Sequence, residues 1–106
     1  MSTNSAFPLN IQILNISTNM GRIGGWVADS YDSKHKLIFR FLNETEIFMN
    51  DLESETLSPD FEPTLERFKR EFAKLKSEEI TEENKMQWAE RALTWANILQ
   101  HRAKLA

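Results

Sequence analysis

Apolar residues recur along this chain mostly at helical rather than strand spacing. Leu9, Ile13, Ile16, Met20, Ile23 and Val27 follow steps of 4, 3, 4, 3 and 4, the seam of an amphipathic helix. Pro8 stands just before them, where a helix tolerates a missing N–H. Two local features oppose this. Leu9-Asn10-Ile11-Gln12-Ile13 alternates as a half-buried strand does. Gly21, Gly24 and Gly25 each cost a helix about 1 kcal/mol against alanine. One reading is a helix over about residues 8–30, bent near the glycines; the other is a strand at 9–16 followed by a helix capped by Thr18 or Asn19. The length of the periodic match favours the helix, with the glycines as points of close packing. Residues 1–6, small and polar, are expected to fray.

Asp29-Ser30-Tyr31-Asp32-Ser33 is turn-forming. Beyond it, Leu37, Ile38, Phe41, Leu42, Thr45, Phe48, Met49 and Leu52 predict a second long helix, which Phe39 and Ile47 miss. Ser58-Pro59 and Glu62-Pro63 mark a linker, because each proline pushes its predecessor out of the helical region. Pro63 then opens a third helix with Leu65, Phe68, Phe72 and Leu75 on its seam. Arg67, Arg70 and Lys74 lie opposite, with Glu66–Arg70 and Arg67–Glu71 spaced to pair one turn apart. Thr81 caps a last helix reaching Ala103, whose wide face carries Trp88, Ala89, Ala92, Leu93, Trp95, Ala96 and Leu99. Its alanines form a lane expected to receive Leu65, Phe68 and Phe72. Four such segments predict a single all-α domain over residues 1–106, an antiparallel four-helix bundle. The alternative is α+β, with a short N-terminal strand and three helices.

Composition narrows the function classes. At 41% hydrophobic and 27% charged residues the chain is expected to fold as a globular protein. A net charge of −3 gives no basic excess for nucleic acid, which is not expected as a partner. The absence of cysteine excludes disulfides, zinc thiolates and thiol catalysis. No apolar run approaches the ~18 residues of a membrane span, and the first residues lack the pattern of a signal peptide. A cytoplasmic protein is expected.

The residues that could carry chemistry are few. His35 follows Asp32 by three residues, and His101 shares a polar face with Glu90, Thr94 and Asn97. A di-iron bundle needs Glu-x-x-His pairs, and the sequence has none. Gly21-Arg22-Ile23-Gly24-Gly25 lacks the lysine and spacing of a phosphate-binding loop. No catalytic, cofactor or metal site is predicted. The expected function is a non-enzymatic interaction or regulatory module. Phe7, Ile11, Leu14, Phe39, Ile47, Ile98 and Leu105 remain after the seams are assigned and are the candidate interface, with a homodimer as the simplest way to cover them. The alternative is a ligand-binding or enzymatic bundle whose pocket is lined by Trp26, Trp88 and Trp95.

Trp88-Ala89-Glu90 and the run Ala92-Leu93-Thr94-Trp95-Ala96-Asn97-Ile98-Leu99-Gln100-His101-Arg102, with Pro63-Thr64-Leu65-Glu66-Arg67-Phe68 upstream, resemble the C-terminal end of small uncharacterised all-helical cyanobacterial proteins. The resemblance implies a bacterial cytoplasmic source. It carries no catalytic motif and implies no mechanism.

Overall fold

A computed structural model describes residues 3–106, and every regular element among them is helical. Helix α1 runs Leu9–Asp51, α2 Glu62–Ser77 and α3 Lys85–Arg102, with short 3-10 turns at Thr3–Ala6, Leu52–Ser54 and Ala103–Leu105. The strand alternative for residues 9–16 is overturned, and the α+β reading with it. Those residues are the first turns of α1, where Ile13 and Ile16 are buried and Ile11 is half-buried. The long seam to Val27 prevails over the short alternation because its members from Ile13 onward are buried in the core and half-buried Leu9 packs against it. Thr3–Ala6 is also ordered against expectation: Asn4 is buried and accepts from Asn15 Nδ2 at 2.7 Å. Residues 1 and 2 lie outside the described residues.

A straight helix as long as the 43 residues of α1 would extend ~65 Å, yet the longest dimension of the molecule is 40 Å. The helix breaks at Ser30, whose backbone leaves the helical region (φ −148°, ψ 32°). Short polar side chains around it compete for backbone hydrogen bonds, and the Ser33 hydroxyl donates to the Ser30 carbonyl at 3.2 Å. The turn expected over residues 29–33 is thus one broken residue. The bend expected near the glycines is absent, since all three keep helical backbone.

The two arms of α1 lie side by side. Asn19 Nδ2 donates to Glu44 Oε1 at 3.1 Å and Thr45 Oγ1 at 3.3 Å. Thr45 donates in turn to the Phe41 carbonyl at 2.7 Å. Trp26 packs on Phe41 with ring centroids 5.2 Å apart, and the Arg22 guanidinium sits 5.8 Å from the Phe41 centroid. Buried polar groups such as Asn19 and Thr45 are tolerable here because they satisfy one another.

The first arm packs closely on α3 through small residues. Ser17 Oγ donates to the Ala96 carbonyl at 2.6 Å, and Gly21 and Gly24 face Ala96 and Ala89. The alanine lane of α3 therefore meets the glycines of α1 at Ala89 and Ala96. Helix α2 uses large side chains instead: Phe68 packs on Trp95 with centroids 5.5 Å apart. Leu93, expected in the core, is 43% exposed and lies beside Gly24 of α1. Trp88 is sealed, and its indole N–H donates to the Leu75 carbonyl at 2.9 Å, capping the end of α2. Regular helix in α3 begins at Lys85 with Asn84 at the N-cap, so Thr81, expected to cap the helix, instead closes the turn before it. Its N–H donates to Asn84 Oδ1 at 2.7 Å, while its hydroxyl accepts from the Asn84 N–H at 3.2 Å.

Candidate interaction surfaces

Two surfaces stand out once the core is assigned. The first is on the second arm of α1. Phe39 and Ile47 are 47% and 49% exposed. Asn43 lies between them and Asn50 one turn beyond, both exposed. Four positions at steps of 4, 4 and 3 fall on one face of a helix, so they make an uncharged stripe. The stripe has a charge gradient along its edges. Lys36 and Arg40 stand at its beginning and Glu46 towards its end. Glu46 is held by Lys76 at 2.8 Å.

The second surface is the groove between α2 and α3. Trp95 and Ile98 form its floor, flanked by Arg67, Arg70, Glu71 and Lys74 in a depression of about 500 Å³. A continuation of about 430 Å³ shares Arg67, Trp95 and Ile98 and ends at Arg102 and Asp60. The carboxylate of Glu71 is already taken: Lys74 approaches it at 3.5 Å and Arg91 at 3.7 Å. Arg91 is held further by Glu78 at 2.7 and 3.0 Å. Glu66 pairs with Lys69 at 3.6 Å. The expected pairs Glu66–Arg70 and Arg67–Glu71 are therefore not formed, because other cations hold both glutamates. Among the described residues no carboxylate lies within ion-pair distance of Arg67, Arg70 or Arg102.

The remaining candidates disperse. Phe7 is 49% exposed, while Ile11, Leu14, Ile98 and Leu105 are half-buried. Leu14, Ile98 and Leu105 pack against the core. Of the three tryptophans, Trp88 is sealed in the core, Trp26 stacks on Phe41, and Trp95 alone faces the groove. They do not converge on one cavity. His35 is exposed, with Nδ1 3.0 Å from the Asp32 carbonyl oxygen. His101 is exposed as well. Among the described residues no group of three His, Asp or Glu side chains is placed to hold a metal ion, and no helix is long and apolar enough to cross a membrane.

One ion pair alters a titration. The Glu53 carboxylate, hydrogen-bonded to Lys69 Nζ at 2.7 Å, raises that ammonium above the usual lysine value of 10.5, against a smaller lowering by burial. The pair ties α2 to the turn after α1. Its role is structural.

The chain matches no protein-family model, and no curated protein and no solved structure matches it either. The surfaces therefore have to be read from their own chemistry.

Proposed function

We propose that this protein is a non-enzymatic helical interaction module, a four-helix bundle that pairs with a second copy of itself through the uncharged stripe of α1. The bundle reading is supported by the break at Ser30, which divides α1 into two side-by-side arms and so supplies four helices with α2 and α3. The cytoplasmic setting follows from the resemblance to small cyanobacterial proteins. The observation that carries the pairing is the exposed Phe39-Asn43-Ile47 stripe with its charge gradient.

That stripe is self-complementary. In an antiparallel two-fold pairing centred on Asn43, Phe39 comes level with the partner's Ile47. Arg40 comes level with the partner's Glu46, whose carboxylate Lys76 of its own chain already holds at 2.8 Å and would share. A two-fold interface of this kind uses the same patch on both copies. The facing asparagines supply a donor and an acceptor each at the centre.

The chain has no cysteine, so a single introduced thiol is a clean probe. Asn43→Cys is expected to form a disulfide-linked dimer on mild oxidation, because the two-fold axis brings the residue close to its own copy. Lys36→Cys, displaced two turns from the axis, is expected to link poorly. Equal linking of both variants, or none of either, would refute this pairing.

A further inference from the structure

We infer that the groove between α2 and α3 binds a short acidic helical peptide segment of a protein partner. The inference rests on the interaction-module reading but uses residues distinct from the α1 stripe. Acidic groups outnumber basic ones in this chain, 16 to 13. Several cations on α2 and α3 are engaged, as Lys69, Lys74, Lys76, Lys85 and Arg91 each hold a carboxylate. Arg67, Arg70 and Arg102 line the groove or its continuation without one. Among the described residues Arg22, Lys34, Lys36, Arg40 and Lys104 hold no carboxylate either, but none of them lines the depressions around Trp95.

Three features select the occupant. Guanidinium groups match carboxylates in a planar, bidentate geometry. Half-buried Ile98, beside the 8% of Trp95 that reaches the surface, offers a small apolar floor between the charged flanks, which suits one apolar side chain on the same segment. Arg67, Arg70 and Lys74 recur at steps of 3 and 4 along α2 over ~10 Å, the two arginines without a carboxylate and Lys74 3.5 Å from Glu71, so a segment laid along the helix meets two free guanidinium groups and then an ammonium it would share with Glu71. A helix bearing carboxylates at the same steps, with a leucine between them, fits this pattern. A phosphate polymer fits less well. Trp95 is only 8% exposed, leaving no ring face on which a base could stack.

The probe is a synthetic helical peptide about four turns long, with glutamates at i, i+3 and i+7 and leucines between them. A scrambled peptide of the same composition is the control. Amide shifts are read on the nitrogen-15-labelled full chain. Saturable shifts in residues 64–74 and 94–102, weakening as salt rises, are expected for the ordered peptide and not for the scrambled one. Arg67→Ala, Arg70→Ala and Arg102→Ala combined are expected to weaken binding about tenfold or more, with an unchanged helical circular dichroism signal. No saturable shift, shifts centred elsewhere, or an equal response to the scrambled peptide would overturn the inference. An equal or stronger response to oligothymidylate would replace it with phosphate-backbone binding. Linking of the Asn43→Cys variant is independent of these outcomes, so the groove can fail while the interaction module stands.

Discussion

Gly24 and Gly25 are adjacent, and substitution by alanine should move stability in opposite directions. Both have helical backbone, so neither is required for a left-handed conformation. Each replacement removes the same helix-propensity penalty, worth ~0.8–1.0 kcal/mol in a helix interior. What differs is α3. A Cβ on Gly24 would stand 2.7 Å from Leu93 Cγ, 2.9 Å from its Cδ2 and 3.1 Å from the Ala89 carbonyl oxygen. Leu93 is 43% exposed and can turn aside. The Ala89 carbonyl is backbone and yields only if the helices separate. Overpacking of this kind costs about 1–3 kcal/mol, which exceeds the propensity gain. Gly24→Ala is therefore expected to lose about 1 kcal/mol net, or ~4–8 °C in midpoint for a domain of this size. At Gly25 an added Cβ meets nothing within 4 Å, so Gly25→Ala should gain about 0.5–1 kcal/mol. Gly21→Ala should behave like Gly25→Ala, since its Cβ would meet Ala96 Cβ at an ordinary 3.9 Å. Urea unfolding followed by circular dichroism measures all three. Adding Leu93→Ala to Gly24→Ala should recover part of the loss, leaving the share due to the Ala89 carbonyl. If Gly24→Ala stabilises as much as Gly25→Ala, the close contact between α1 and α3 is wrong.

Two further predictions concern α2. Trp88→Phe removes the indole donor to the Leu75 carbonyl at a site 1% exposed, and should cost about 1–3 kcal/mol in chemical unfolding; an unchanged midpoint would mean the carbonyl finds another donor. Lys69→Met should cost only ~0.2–1 kcal/mol, because the pair with Glu53 is solvent-accessible. The folded-state pKa of Lys69 is raised, so its contribution is fully present below the ordinary lysine value of 10.5 and is lost as pH rises through the higher folded value. The gap between wild type and Lys69→Met should be constant from pH 6 to 9 and narrow only at more alkaline pH, as unfolding curves taken across that range would show.

Helices were legible in the sequence because their seams are long. The steps from Leu9 to Val27 and from Leu37 to Leu52 predict the buried faces that the fold contains, apart from half-buried Leu9, Leu37, Phe41 and Phe48. Periodicity does not say which face meets which. The alanines of α3 and the glycines of α1 were each recognisable as close-packing residues, but their pairing is a property of three dimensions. Leu93 sits at the margin of a wide apolar face, where a small rotation of the helix decides between core and solvent. Gln12 and Asn19 were invisible as interior residues, since a polar side chain off the seam counts as outward until its partner on another segment is known, whereas Thr45 was read as interior from its place on the seam. The same holds for the groove. Spacing along α2 assigns Glu71 to Arg67, whereas Arg91 reaches it from α3. Phe39 and Ile47 were legible as surface from the chain alone, because both residues miss a seam that is otherwise well defined.

Pairing through that stripe is the central claim, and light scattering on the purified full chain tests it directly. Over a micromolar concentration series the mass is expected to approach twice the 12.4 kDa of one chain. Phe39→Glu with Ile47→Glu should return it to 12.4 kDa with the helical signal intact, since both side chains are about half exposed. A wild-type mass that stays at 12.4 kDa throughout, or a dimer indifferent to both glutamates, would contradict the account.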